Sequence, residues 1–213
     1  MQKLKIARAV AAFLSILVAS IHLEAADVSR SKTDKRREHI KKVEEYFNGI
    51  RTLEADFVQI DKHGRTSMGH FFLKRPYLMK MDYRDPPTRV IIAKNNKIIH
   101  YDRELKEKTE TSTYSSPLSF LLEPQINLEQ HVDVTSIHDG KDEFSLKFCR
   151  KDEEIEEAVL LVFSKNPLTL KEWILLSNKS DVLADGYTEV CLENHRFGHD
   201  ISDKEFEKFE ISD

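Results

Sequence analysis

The chain has 213 residues, 40% of them hydrophobic and 33% charged, enough apolar material for one good-sized core and too many charges for an integral membrane protein. Its six Gly leave no room for a repeated phosphate-cradling loop, and its two Cys supply neither a disulfide framework nor a cysteine-rich zinc module. A formal charge of −4 and a pI near 6.2 argue against nucleic acid as a partner, because a binder must neutralise phosphates with clustered Lys and Arg.

Lys3, Lys5 and Arg8 precede an apolar run from Ala9 to Val18, after which small residues return at Ala19, Ser20, Ala25 and Ala26. This is the pattern of a cleavable secretory signal, read as residues 1–25. Ten apolar residues in a helix rise about 15 Å, roughly half a hydrocarbon core, so a permanent span is not expected. No cysteine follows the run, so the acceptor for N-terminal lipid attachment is absent. The expected product is a single soluble domain over 26–213, with 30 Lys plus Arg against 36 Asp plus Glu and a net charge of −6. Its main basic run holds Arg30, Lys32, Lys35, Arg36, Arg37, Lys41 and Lys42 and reads as a solvated helix face or frayed arm rather than a lipid-headgroup patch.

Ile40, Val43, Phe47 and Ile50 recur at helical spacing and predict a helix ending near Gly49. After it the period changes to two. Short strands are expected at 53–60, 68–74, 77–83, 89–93 and 97–102, punctuated by Pro76, Pro86, Pro87 and Asn95–Asn96. Asn tolerates positive φ, so Asn95–Asn96 predicts a tight primed hairpin turn. Residues 115–122, SSPLSFLL, read as a short amphipathic helix with Leu118, Leu121 and Leu122 on one face. Further strands are expected at 131–137, 143–149, 158–163, 170–176, 187–192 and 205–210, and the acidic cluster from Asp152 to Glu157 as a solvated hairpin tip.

About eleven short strands with two helices predict a mainly β fold, one strongly curved antiparallel sheet with helices across its concave hydrophobic face. Alternation places Phe144, Leu146 and Phe148 opposite Ser145, Lys147 and Cys149, and Thr188, Val190 and Leu192 opposite Tyr187, Glu189 and Cys191. Both cysteines thus belong to polar sides. In sequential strand order they stand about three strand spacings apart, roughly 14 Å, beyond the ~7 Å a disulfide spans, so both are expected free.

No metal site is expected: the pair His195 and His199 has helical i,i+4 spacing but sits in a loop-like, acidic context. There is no Gly-x-Ser-x-Gly elbow, no cysteine with an evident histidine partner and no singled-out carboxylate pair. An enzyme is therefore not expected, nor is a cofactor.

The most distinctive stretch is GHFFLKRPYLMKMDYRDP at 69–86, followed by TRVIIAKNNKIIHYDREL. With Phe57, Val58 and Gln59 before it, and SPLSFLL, LTLKEWILLSNKSDV, YTEVCLENHRFG and KEFEKFEI after it, the order and spacing resemble the LolA family of periplasmic outer-membrane lipoprotein carriers over about 43–211. Asn95–Asn96 stands where the family commonly has Asp-Gly, and Lys and Glu are unusually frequent among the later strands. The resemblance implies an unclosed half-barrel lining a hydrophobic cavity, with SPLSFLL as lid helix and KEFEKFEI in the last strands. It implies a soluble periplasmic chaperone that takes acylated lipoproteins from an inner-membrane ABC transporter and passes them to an outer-membrane acceptor, working as a monomer. Arg75 matches the arginine whose hydrogen bonds hold the lid closed when the cavity is empty, a role suited to five planar donors.

Exposing an acyl chain of about fifteen methylenes costs on the order of 12 kcal/mol, so a diffusing lipoprotein needs a sleeve. Adaptable Phe and Met suit it better than a rigid core. The candidate cargo-binding residues are Phe57, Phe72, Met79, Met81, Leu118, Leu121, Leu122, Phe148 and Trp173. Without a nucleotide site, transfer must run downhill from donor to acceptor. Two other readings stand beside this one: a lipid- or partner-binding sensor domain on the same half-barrel, and an enzyme acting on an apolar small molecule in the cavity.

Overall fold

The structure, a computed structural model, describes residues 33–151, 157–177 and 186–209. The signal at 1–25, Arg30, Lys32 and the acidic residues from Asp152 to Glu156 lie outside the described residues. Two compact units divide the chain, Met1–Lys42 and Val43–Asp213. Helix α1 spans 33–49. Its part in the first unit carries an i,i+4 ion pair, Lys42 to Glu38 at 2.8 Å, and a 2.8 Å contact between His39 Nδ1 and the Lys35 carbonyl. The predicted apolar stripe, Ile40, Val43, Phe47 and Ile50, is buried throughout.

The second unit is built on one antiparallel sheet of eleven strands. They are β1 (Thr52–Asp61), β2 (Thr66–Lys74), β3 (Leu78–Asp85), β4 (Arg89–Lys94), β5 (Lys97–Asp102), β6 (Glu107–Ser112), β7 (Val132–Asp139), β8 (Glu143–Arg150), β9 (Ala158–Lys165), β10 (Leu168–Leu176) and β11 (Tyr187–Phe197). Their order is β6-β5-β4-β3-β2-β1-β11-β10-β9-β8-β7. Two meanders meet where β1 pairs with β11, and β6 and β7 stand at the edges, so the sheet is unclosed. Helix α2 is a single turn at Leu128–His131.

Asn95 and Asn96 have φ of 53° and 60° between the paired residues Lys94 and Lys97, the expected primed turn. Asn96→Val is predicted to cost about 1–2 kcal/mol, because a β-branched residue resists positive φ, whereas Asn96→Gly holds stability. Urea unfolding of the two variants checks this.

Of the strand expected at 205–210, the described residues 205–209 form none, and β6 stands in its place in the count. All six β6 residues, EKTETS, are exposed: charged groups on an edge strand discourage pairing with another chain but leave no apolar alternation to read. The C-terminal stretch instead forms a 3-10 turn at Asp203–Glu207 within a strap along one face of the sheet. Thr52 Oγ donates to the His199 carbonyl at 2.7 Å, and Lys74 Nζ donates to the Ile201 carbonyl at 2.6 Å. Lys80 and Lys94 pair with Glu205 and Glu207 at 2.8 and 2.6 Å, and Arg103 Nε donates to the Phe209 carbonyl at 2.8 Å. Beneath the strap, Ile201 and Phe206 pack on Val90 and Ile92, with Phe72, Leu78, Ile99, Tyr101 and Phe209 around them.

Covering that outer face buries two charged side chains the alternation marks as solvent-facing, Lys80 and Asp82, both at 0% exposure. Asp82 accepts from Arg84 at 3.0 Å and from Arg103, and lies 3.6 Å from Lys80. Burial alone would raise Glu205, but hydrogen bonds and charge from Lys80 and Lys208 outweigh it and hold the carboxyl below its ordinary range.

Both cysteines are free, and three strand spacings separate β8 from β11 as expected. Cys149, however, is buried in a small apolar cluster with Ala158 and Leu176, flanked by Ile174 and Tyr187, so its side of the sheet is not polar there. The reason is local: the outer positions of β9 and β10 beside it are themselves apolar.

Candidate functional site

The opposite, inner face carries the aromatic core. Phe47 of α1 meets Phe120 and Phe163 edge-on at 5.7 and 5.9 Å, and Phe120 meets Phe148 at 5.5 Å. Tyr46 accepts from the Leu170 amide at 3.1 Å, with its phenol raised by burial and partly lowered again by that bond. Trp173 of β10 lies 5.5 Å from Phe71 of β2, a contact across the middle of the sheet that only a curved sheet allows.

Residues 115–122 do not form one amphipathic helix. They lie in two short 3-10 turns, Thr113–Ser115 and Ser119–Leu122, joined by Ser116, Pro117 and Leu118. Phe120, Leu121 and Leu122 are buried; three residues per turn eclipse different positions from an α-helix, which brings in Phe120 and leaves Leu118 at the margin.

Under this segment lies a cavity of about 360 Å³, lined by β1, β3, β4, β5, β6, β10, β11 and the segment itself, within the ~300–1,000 Å³ range of small-ligand sites. Met79, Met81, Leu118, Leu121 and Trp173 line it. Phe57, Leu122 and Phe148 are buried but enclosed in other packing. Phe57 sits edge-on to Tyr83 at 5.0 Å, Leu122 receives the Tyr77 amide at 3.1 Å, and Phe148 packs on Phe120.

Phe72 is on the wrong face: it packs under the strap with Val90 and Ile92, while its neighbour Phe71 points inward to Trp173. Consecutive aromatics leave the register open in sequence. The β1 partner settles it, since Phe71 pairs with Ala55 and Gly69 with Phe57. A Cβ on Gly69 would stand 2.8 Å from the Phe57 ring and closer still to the Asp82 carbonyl, which is why glycine stands at this position of β2.

Sequence reasoning missed the polar part of the lining: Gln59, Tyr83, Arg89, His100, Thr111, Ser115, Ser116 and Thr188. Tyr83 donates to Gln59 Oε1 at 2.6 Å, and the Arg89 guanidinium stacks 4.2 Å above the Tyr83 ring. Burial raises the Tyr83 phenol, offset in part by Arg89; burial and the Arg89 charge both lower His100. Their signal was present as inward alternation on β3 to β5, but polar residues there read as solvent-facing.

Arg75 sits where the segment meets α1. Its guanidinium donates to the Phe47 carbonyl, to the Glu123 carbonyl at 2.7 Å and to Asn48 Oδ1 at 3.3 Å. The Asn48 amide reaches the Ile126 carbonyl at 2.9 Å and its Oδ1 accepts from the Ile126 amide at 2.9 Å. All three Arg75 acceptors are neutral, and burial lowers the Arg75 pKa. Burial thus opposes the charge of the guanidinium that these three neutral acceptors hold.

His195 lies within β11, which continues to Phe197, and its Nε2 is 2.8 Å from the Leu170 carbonyl; the helical spacing with His199 does not apply. On the outer side of β10 and β11, Glu172, Glu189 and Cys191 bring possible ligand atoms within 4.8 Å of one another. Burial, a hydrogen bond to Glu189 and surrounding carboxylates push the Cys191 thiol up to about 11, and burial with Glu189 and Glu143 raises Glu172. The thiol is therefore protonated at neutral pH. Among the described residues no helix is long and apolar enough to cross a membrane.

Residues 48–208 match the family described as outer membrane lipoprotein carrier protein LolA. An uncharacterised protein of Rickettsia prowazekii (strain Madrid E) is 23% identical over 128 residues, 60% of this chain and 59% of that protein. A protein of Methylococcus capsulatus named outer-membrane lipoprotein carrier protein is 28% identical over 121 residues, 53% of this chain and 58% of that protein. The matches thus span less than two thirds of either relative's length. Among solved structures, a DUF1329 family protein from Desulfovibrio piger covers 81% of this chain and 96% of its own at 13% identity with a TM-score of 0.51, a likeness of fold.

Proposed function

The chain belongs to the LolA family, and from that premise we propose that it carries the acyl chains of lipoproteins from an inner membrane across the periplasm to an outer-membrane acceptor. Residues 1–25 supply the export signal this route requires, and 26–213 the carrier. The observation that carries the reading is the inner-face cavity of about 360 Å³ closed over by a segment tied down through Arg75. Met79, Met81, Leu121 and Trp173 offer the chains apolar contact, and methionine side chains re-pack at little cost as chains differ. The role is to bind and hand over, with no covalent step.

An ABC transporter in the inner membrane is the donor this route calls for. Incubating inner-membrane vesicles with ATP, a labelled lipoprotein and this protein is expected to bring label into the vesicle-free supernatant together with the protein. Label that stays on the vesicles overturns the proposal.

A further inference from the structure

The cavity changes chemistry along the strands that line it. On its inner side Met79 pairs with Ala93, and Ala93 with Ile98, an apolar row. One row on, Met81 pairs with Ile91, and Ile91 with His100. Beyond these come Tyr83 and Arg89, the last inward positions of β3 and the first of β4. The apolar row lies at the end where Thr113 reaches the Asn96 carbonyl and Tyr77 the Leu122 carbonyl, beneath the closing segment. Arg89 and His100 are at the other end and are exposed. Among the described residues lining the cavity none is Asp or Glu, although acids outnumber bases in the chain, 37 to 33.

We infer that the preferred occupant is an amphiphile with an anionic head, a carboxylate or a phosphate, whose chain lies toward Met79 and Trp173 and whose head is held by Arg89 at the open end. The inference rests on the apolar cavity of the carrier reading and goes beyond it, because an acyl chain attached to a protein carries no such free head. The Tyr83 ring, 4.2 Å beneath the guanidinium, holds its plane by cation–π contact, and a planar fork of N–H donors matches two oxygens of one head at once. Tyr83 is itself fixed by its 2.6 Å bond to Gln59, so the platform is built before any ligand arrives. An exposed head and an enclosed chain also spare the head the cost of full desolvation.

Trp173 is the chain's single tryptophan and lines the cavity, so its fluorescence reports entry. Hexadecanoic acid, hexadecyl phosphate and neutral monopalmitoylglycerol are titrated against the full mature chain, with inorganic phosphate alone as the control for a head without a chain. Both anionic amphiphiles are expected to bind roughly tenfold tighter than the neutral one, with Arg89→Gln abolishing the preference and Arg89→Lys retaining part of it. Equal affinity for all three in the unmodified protein overturns the inference while leaving the carrier reading intact. So does a preference that survives Arg89→Gln, or a response to inorganic phosphate as large as to the amphiphiles. If no amphiphile perturbs Trp173, the carrier reading itself falls, and this inference with it.

Discussion

Arg75→Leu is expected to leave loading intact and to slow release to the acceptor. Arg75 ties the Phe47 carbonyl of α1 to the Glu123 carbonyl beyond the second 3-10 turn. Charge-assisted bonds of this kind contribute about 1.5–3 kcal/mol each, but burying the guanidinium opposes them. A net loss of about 1–2 kcal/mol corresponds to an opening equilibrium shifted roughly 5–30-fold. On the carrier reading proposed above, these bonds oppose the opening that cargo entry requires, and without them a loaded state would gain by the same amount. Amide exchange over 119–126 should accelerate by that factor while the sheet amides keep their rates, and transfer to the acceptor should fall. Unchanged exchange together with unchanged transfer would remove Arg75 from the mechanism. Arg75→Lys is expected to behave nearly as Arg75→Leu, because one ammonium cannot span both carbonyls and Asn48.

The largest loss of stability is expected from Asp82→Ala. Asp82 is fully buried beneath the strap, with Arg103, Arg84 and Lys80 around it. Its removal takes from Arg103, at 6% side-chain exposure, the carboxylate it pairs with and leaves the fully buried Lys80 with Glu205 alone; breaking a buried ion pair costs about 3–5 kcal/mol. Against a typical total of about 5–15 kcal/mol, that is a lowered urea midpoint easily seen. Lys80→Met is expected to cost much less: Asp82 keeps both arginines, and Glu205, the other partner of Lys80 at 2.8 Å, reaches solvent. If the two variants lose the same stability, Asp82 is not the hub of the network.

These two residues show how differently the sequence exposes its parts. Arg75 stands in a motif, Arg-Pro after a Gly-aromatic strand, and the resemblance singled it out as an expectation before any geometry. Asp82 carries no such mark: in LMKMDYRD it alternates with Met79, Met81 and Tyr83 and reads as an ordinary outward polar residue. Its burial depends on the strap, whose KEFEKFE looks like a strand because Phe206 and Phe209 supply the same apolar signal whether they pair with a neighbour or lie across a face. Strand β6 failed in the reverse sense, having backbone pairing with β5 and no buried side chain to announce it.

Taken alone, the sequence determined the β-rich class, most of the strands, the primed turn at Asn95–Asn96, the separation of the cysteines and the family. All of these follow from local period, turn chemistry or ordered motifs. The tertiary structure decided which of Phe71 and Phe72 turns to the inner face, which apolar residues line the cavity and which are packed away, and that Arg89 and His100 belong to it. Alternation divides a strand into two faces but does not say what will cover each. That depends on a curl bringing β3 to β5 opposite β10 and β11, and on a C-terminal strap closing the other side, which brings together residues some seventy or more positions apart in the chain, as Met81 and Trp173 of the cavity lining are.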